Sequence, residues 1–149
     1  MARQCGGCQI QEIDYSEQLK FKERKVRNNL ERIGGFDRAF LGRVMEPICG
    51  MEEPFHYRNK AQYPIGTDRE GYPVAGFYAG RTHQIIPNMV CALGKEINTQ
   101  VLEVVLDFMR EFQIPAYSEE TGRGLLRHVP IRTGFHTGEI LVWLIVNGT

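Results

Sequence analysis

The sequence has no excess of charge of either sign and no long apolar run. Its 18 lysines and arginines are balanced by 18 aspartates and glutamates, so the formal net charge is zero. No global electrostatic field draws the chain to nucleic acid or to an anionic membrane, and any such affinity has to come from a local patch. No apolar stretch approaches the roughly 20 residues that a helix needs to cross a bilayer, which predicts a protein without a membrane partner.

The first residues of the sequence do not resemble a secretory leader. These residues, Met1–Cys5, contain no apolar core of the kind that signal peptides carry. The simplest interpretation is a cytoplasmic, reducing compartment, in which structural disulfides are rare. With 149 residues, the chain has about the size of one soluble domain.

Both ends of the sequence indicate a piece of a longer protein. Only four residues precede the first cysteine of a candidate metal motif at Cys5. At the other end, the run Glu139–Val146 is apolar on both period-two faces, which predicts a strand covered on both sides. The chain stops three residues after this run. We therefore expect further protein sequence on both sides of this chain.

Apolar residues at helical spacing predict two helices. The first spans Tyr15–Ile33, begins with a capping box formed by Asp14 and Glu17, and ends at Gly34–Gly35. Its outer surface is rich in lysine and arginine, which indicates a solvated face more readily than a phosphate-facing one. The second helix ends before Pro115. Its expected core stripe consists of Ile97, Val101, Val104, Val105, Phe108 and Phe112.

Extended segments that occur in pairs predict an antiparallel sheet. The segment Lys60–Tyr78 contains two extended stretches around a polar, glycine-terminated loop, and a short strand follows at Thr82–Pro87. Leu125–Thr133 and Glu139–Val146 form a second predicted hairpin. The order of helix, strands, helix and strands predicts an α+β fold with a mostly antiparallel sheet and two main helices.

Cys5 and Cys8 form a C-x-x-C motif with two glycines between the thiols. The glycines let the backbone fold tightly enough for both sulfurs to face one metal centre. A thioredoxin-like redox pair would follow a strand, and none is predicted before this motif. A zinc site would need a second pair or nearby histidines, whereas Cys49 and Cys91 stand far apart and isolated. Spacing alone leaves an iron–sulfur site, a zinc site and plain thiols open.

A second constellation alternates aromatic and cationic side chains where the first strand begins. The segment His56–Tyr63 supplies cations for phosphate and aromatic faces for unpaired bases, as the binding of single-stranded RNA requires. The alternative, which composition by itself favours, is an edge strand whose long cations extend into water. Arg127, His128 and Arg132 on the late hairpin form a weaker basic candidate, in which His128 is equally well a packing residue.

Several motifs occur in one order along nearly the whole chain. They are Cys5-Gly6-Gly7-Cys8-Gln9, Phe55-His56-Tyr57-Arg58-Asn59-Lys60, Gly76-Phe77-Tyr78, Cys91 and Leu126-Arg127-His128. In this combination the sequence resembles the bacterial 23S ribosomal RNA uracil-5-methyltransferases, the family that also includes the transfer RNA uracil-54 enzyme. The resemblance implies the central domain of such an enzyme, with an iron–sulfur cysteine loop at residues 1–14 and an RNA-contacting α+β domain at 15–149. An N-terminal RNA-binding β-barrel and a C-terminal S-adenosylmethionine domain would lie outside this chain.

The resemblance also implies roles for individual residues. Family members with this cysteine motif hold a 4Fe-4S cluster with four cysteines, of which three correspond to Cys5, Cys8 and Cys91. The fourth would precede Met1. The implied partner is 23S ribosomal RNA, and the implied RNA contacts are Tyr57, Arg58, Lys60, Gln62, Arg127 and Arg132.

No catalytic residue is expected in this chain. The family adds a cysteine thiolate to C6 of uridine and removes the C5 proton with a carboxylate base, and both groups belong to its S-adenosylmethionine domain. The sequence contains no G-x-G-x-x-G turn that would bind that cofactor. The chain by itself is therefore expected to be inactive. An alternative of another class is a free-standing metal- or redox-binding module without a role in RNA.

Overall fold

A computed structural model describes residues 4–148 of the chain. These residues belong to two compact units. One unit spans Gln9–Pro54, and the other combines the cysteine loop up to Cys8 with the chain from Phe55 onward. None of the helices in the described part of the chain has both the length and the apolar character that crossing a membrane requires.

The unit Gln9–Pro54 contains two helices. Helix α1 spans Tyr15–Arg32 and helix α2 spans Arg38–Val44. The predicted first helix is thereby confirmed. Three residues after its last residue, Arg32, Gly35 adopts a φ of 70°, a left-handed conformation that glycine reaches without a steric cost. Helix α2 was not predicted. Its sequence signal is the N-cap Asp37, whose carboxylate accepts a hydrogen bond from the Phe40 amide at 2.9 Å.

The predicted capping box of α1 is wrong. The Asp14 side chain makes no capping hydrogen bond. Glu17, which should reach back to the helix start, instead forms an ion pair with Lys20 at 2.7 Å. A lysine three residues along the helix is a neighbour of the glutamate on the helix surface. Lys20 and the start of the helix therefore compete for the Glu17 carboxylate.

The other unit is built on a six-stranded sheet in which every paired strand is antiparallel. The strands pair in the order β3-β2-β1-β4-β5, and β6 also pairs with β4. A third helix, α3, spans Ile97–Glu111. These elements confirm the predicted α+β class. The strands are β1 (Lys60–Thr67), β2 (Pro73–Tyr78), β3 (Ile85–Pro87), β4 (Leu126–Thr133), β5 (Ile140–Val142) and β6 (Ile145–Val146).

Helix α3 covers one face of the sheet and forms the core with it. Its buried apolar residues pack against residues of β1 and β4 that share that face, and burying one large apolar side chain stabilises the fold by about 1.5–3 kcal/mol. The Asn98 amide donates a hydrogen bond to the Tyr63 hydroxyl at 3.2 Å, which satisfies a buried polar pair between helix and sheet. The core includes Tyr63, Leu102, Leu106, Met109, Val129 and Ile131.

The predicted core stripe of α3 is wrong in part. Val104, Phe108 and Phe112 are 69%, 52% and 58% exposed. Val101 and Val105 are partly buried, as predicted. The helix has apolar residues around much of its circumference, so its periodicity defines more than one stripe, and only the position of the sheet decides which one is buried. The apolar side chains of α3 that are buried are Leu102, Leu106 and Met109.

The expectation of one strand covered on both sides at Glu139–Val146 is also wrong. The segment forms two short strands, β5 and β6, which both pair with β4. Between them, the Trp143 amide donates a hydrogen bond to the Pro130 carbonyl at 3.0 Å. Every residue from Ile140 to Val146 is at least 37% exposed within the described structure. The run is therefore apolar as predicted, but the described residues do not cover it.

Candidate nucleic-acid interface and cysteine site

The sheet face that turns away from α3 carries part of the predicted RNA contacts. Lys60 of β1 lies directly opposite Arg132 of β4, and Gln62 follows two residues along β1. Strand residues alternate between the faces of a sheet, so these three side chains share one face. All three are exposed, whereas their neighbours Ala61 and Ile131 are buried in the core. The structure thus brings three of the six predicted RNA contacts together on what we call the open face.

Lys60 and Arg132 form a cross-strand pair of like charge. Two cations directly opposite each other destabilise an antiparallel pair. The salt bridges found between residues 4 and 148 involve neither of them. An anion bound between the two cations would relieve their repulsion and accept charge-assisted hydrogen bonds, so the pair suits a phosphate group.

Arg58 lies with the cysteine loops rather than with this pair. Its backbone amide donates a hydrogen bond to the Leu93 carbonyl at 2.8 Å, two residues after Cys91. Its charge acts on the Cys8 thiol, whose pKa it lowers against a larger effect of burial. Tyr57, the residue before Arg58, is 45% exposed. Arg58 thus pairs with the loop that follows Cys91, whereas Lys60, two residues later, pairs with Arg132.

Arg127 has a different environment again. Its guanidinium carbon lies 4.5 Å from the centre of the Tyr117 ring, which is a cation–π contact. Its Nε atom is buried and has no hydrogen-bond partner among the described residues. Arg127 thus belongs to the opposite end of β4 from Arg132, so the late hairpin does not form one basic patch.

The cysteine loop is docked on the end of β2. The Gly6 amide donates a hydrogen bond to the Tyr78 carbonyl at 2.9 Å, and Cys5 forms a bridge with Ala79. A side chain at Gly6 would meet the Tyr78 carbonyl oxygen and the Gly80 backbone at 3.0 Å, a tight distance. The first glycine between the two cysteines is therefore needed for close backbone approach.

The loop that carries Cys91 is held by His56. The His56 amide donates a hydrogen bond to the Ala92 carbonyl at 2.9 Å, and its ring Nδ1 lies 2.7 Å from the Gly94 carbonyl oxygen. His56 has a φ of 52°, which is uncommon for a residue other than glycine. The backbone amide and the ring of His56 thereby connect the predicted RNA segment to the Cys91 loop.

Two of the predicted cluster ligands, Cys91 and Cys5, act electrostatically on the third, Cys8. Burial raises the pKa of the Cys8 thiol, the charge of Cys91 raises it further, Arg58 lowers it, and Cys5 adds a smaller increase. All of them are free thiols. Within residues 4–148, however, no group of three or more His, Cys, Asp or Glu side chains is arranged to hold a metal ion. Three thiols, where a 4Fe-4S cluster takes four ligands, do not form a complete site.

A polar and aromatic cluster at the other end of the open face was not predicted from the sequence. The Tyr78 hydroxyl lies 3.3 Å from Nε2 of His128, and the Tyr78 ring stacks on His83 with 5.3 Å between ring centres. The Nδ1 atom of His83 contacts the Glu119 carboxylate. Tyr78 and His128 lie within motifs that carried the family resemblance. His83 and Glu119 are 36 residues apart, and no local pattern predicts their contact.

Comparison with known proteins gives related sequences over nearly the whole chain. The chain is 47% identical over 145 residues to an uncharacterized RNA methyltransferase of Halalkalibacterium halodurans, covering 97% of this chain and 31% of that protein. It is 41% identical over 145 residues to an uncharacterized RNA methyltransferase of Clostridium acetobutylicum, again covering 97% and 31%. The chain thus spans about a third of the length of these relatives. No protein-family model matches it.

A solved structure shares the fold. The transfer RNA (uracil-54, C5)-methyltransferase of Pyrococcus abyssi, in complex with S-adenosyl-L-homocysteine, matches with a TM-score of 0.71 and 25% sequence identity. The match covers 98% of this chain and 32% of that one. These likenesses show that the chain belongs to the RNA methyltransferase family, and the solved neighbour fits the uracil-5 branch that the sequence motifs predicted.

Proposed function

We propose that this chain is the RNA-contacting part of an S-adenosylmethionine-dependent enzyme that makes 5-methyluridine in 23S ribosomal RNA. The observation that carries the proposal is the exposed like-charge pair of Lys60 and Arg132, with Gln62 beside it on the open face. A fold gains nothing from two facing cations, so their placement is best explained by an anionic partner. The RNA methyltransferases that resemble the chain make a phosphate backbone the natural anion.

Each predicted contact then has a distinct task. Lys60 and Arg132 hold a phosphate group between them, and the amide of Gln62 is free to bond a base edge or a 2′-hydroxyl along the same strand. Tyr57 offers an exposed ring for base stacking. Arg58 and Arg127 are held in other environments, and we propose that they contact RNA outside the phosphate site of the cation pair.

The methyl transfer itself belongs to the longer protein. We propose that S-adenosylmethionine, the nucleophilic cysteine and the proton-abstracting base are supplied by a part of the enzyme outside this chain. The isolated chain should then neither bind S-adenosylmethionine nor transfer methyl groups. Methyl incorporation into 23S ribosomal RNA by the pure chain would contradict this division of labour.

We further propose that Cys5, Cys8 and Cys91 supply three thiolates to a 4Fe-4S cluster in the full-length enzyme. The support is the resemblance of the cysteine motif to that of the family, together with the effects of Cys91 and Cys5 on the pKa of the Cys8 thiol. Because three thiols do not complete a cluster site, the isolated chain should hold less than a stoichiometric cluster. Iron and sulfide analysis is the measurement. Four irons per isolated chain would show that the donor set is complete without a further cysteine.

Salt-dependent RNA binding tests the central proposal. Lys60→Ala and Arg132→Ala should each flatten the slope of log affinity against log salt concentration by about 0.7 for single-stranded RNA, because each removes one phosphate contact. Neither change should lower the melting temperature, since both side chains are exposed. Arg110→Ala is the matched control, because this cation lies on α3 and is already paired with Asp107 at 2.6 Å.

The outcomes separate the alternatives. If Lys60→Ala and Arg132→Ala behave like Arg110→Ala, the cations are solvated side chains of a strand, and a metal- or redox-binding module without a role in RNA becomes the better account. If Arg58→Ala relaxes base discrimination and leaves the salt slope unchanged, Arg58 contacts a base edge rather than a phosphate.

A further inference from the structure

A cavity of about 740 Å³ lies at the end of the sheet away from the cation pair. Strand β4 connects the two places, since Arg132 belongs to the pair and His128 lines the cavity. Four residues of extended strand separate them, which is roughly 13 Å. The aromatic and basic side chains around the cavity include Arg69, Tyr78, His83, Tyr117, Arg127 and His128.

Two of the rings that line the cavity, those of Tyr78 and His128, are flat and uncharged. Burial raises the pKa of Tyr78, with a further increase from Glu119 and a decrease from Arg127. Burial and the charge of Arg127 lower the pKa of His128, against a smaller effect of Glu119. Both rings are therefore neutral near neutral pH. Tyr78 also stacks on His83, so an aromatic surface already exists for a further flat ring.

The polar groups of the cavity suit a base better than a phosphate. Two arginines, Arg69 and Arg127, line the cavity together with three carboxylates, Asp68, Glu119 and Glu120. This balance disfavours an additional negative charge in the cavity. The buried Nε of Arg127 lacks a partner among the described residues, and an unsatisfied donor of this kind calls for an acceptor. A nucleobase brings both acceptors for the arginine and donors for the carboxylates.

We propose that this cavity binds one unstacked nucleobase of the RNA whose backbone phosphate is held by Lys60 and Arg132. The inference rests on the proposed function and adds a second anchor of different chemistry to it. The cation pair grips the backbone without reading sequence, whereas the cavity recognises a flat base by stacking and by hydrogen bonds to Arg127 and the carboxylates. The two anchors together would fix the register of a single strand on the open face.

The experiment couples a protein variant to an RNA variant. Affinities are measured for a single-stranded 23S ribosomal RNA segment and for a series in which each nucleotide in turn is abasic. With the unchanged protein, one abasic position should weaken binding on the order of 10- to 100-fold, the usual effect of losing one base–aromatic stack. In Tyr78→Leu, the same abasic position should have no further effect, and the salt slope should stay unchanged.

Tyr72→Leu is the matched control. Tyr72 is an exposed tyrosine of the β1–β2 loop and does not line the cavity. If Tyr78→Leu does not fold, His83→Ala replaces it, because the His83 side chain is 75% exposed and its removal leaves the core intact. In either variant, the loss of coupling to one base position is the expected result.

Two results overturn the inference in different ways. If no abasic position couples to Tyr78 or His83 while Lys60→Ala and Arg132→Ala still flatten the salt slope, the RNA role stands and the base site does not exist. If Lys60→Ala and Arg132→Ala have no effect either, the proposed function itself fails.

Discussion

At the end of the sheet that carries Lys60, the two faces are built from alternate residues of the same strands and have opposite properties. On the face covered by α3, Tyr63, Val129 and Ile131 are completely or almost completely buried. On the open face, Lys60 and Arg132 extend into solvent from the same two strands. The difference teaches that residues that stabilise the fold and residues proposed to bind RNA alternate along the same stretch of sequence. Substitutions can therefore affect one property without the other.

The largest expected effect comes from shortening a buried side chain on the covered face. Leu102→Ala should lower the free energy of unfolding by about 2–5 kcal/mol, because Leu102 is fully buried and its removal leaves a cavity in the core. Val104→Ala, two positions along the same helix, is the control and should change stability by less than about 0.5 kcal/mol. Denaturant unfolding measures both. Equal losses would contradict the assignment of the buried side of α3.

A smaller effect is expected from the buried polar pair on the covered face. Asn98→Ala leaves the Tyr63 hydroxyl without its hydrogen-bond partner and should destabilise the fold by about 1–3 kcal/mol. In a Tyr63→Phe background the same change should cost less, because no orphaned hydroxyl remains. Gln100→Ala, at an exposed position of α3, controls for helix propensity. Additive losses in the double variant would show that the pair is not coupled.

On the open face, one substitution should move stability and binding in opposite directions. Lys60→Glu converts a like-charge pair into an opposite-charge pair with Arg132, which should raise the free energy of unfolding by about 0.2–1 kcal/mol. RNA affinity should fall, since the anion site is lost. Adding Arg132→Glu restores a like-charge pair and should remove the gain in stability. A loss of stability in Lys60→Glu alone would show that the two side chains do not face each other.

The smallest expected effect is a pH dependence at the end of the open face. The folded pKa of His128 lies below its ordinary value of 6.5, because burial and Arg127 oppose its protonation more than Glu119 favours it. As the pH falls through 6.5, the unfolded chain takes up a proton before the folded chain does, so stability decreases.

A variant without the His128 ring should not show this loss of stability on acidification. In His128→Gln, denaturation midpoints should therefore fall less between about pH 7.5 and pH 5.5 than in the unchanged protein. His136→Gln, at an exposed position of the β4–β5 loop, is the control and should keep the full pH dependence. If the two variants respond alike, His128 is not held in a protonation-resistant environment.

The sequence by itself determined the elements whose signals are local. Glycine at the end of α1 and the polar loop between β1 and β2 each act within a few residues, so the helix and the hairpin could be predicted. The ordered motifs predicted the family as well. The apolar run at Glu139–Val146 predicted pairing with β4 but not its division into two strands.

Only the tertiary structure decided which surfaces and side chains meet. Periodicity marked several apolar stripes on α3, and the sheet covers the one with Leu102 and leaves Val104 exposed. The register of β1 on β4 sets Lys60 against Arg132, 72 positions along the sequence. The contact of His83 with Glu119 likewise joins distant loops. Contacts of this kind depend on strand order and packing, which no local pattern of residues specifies.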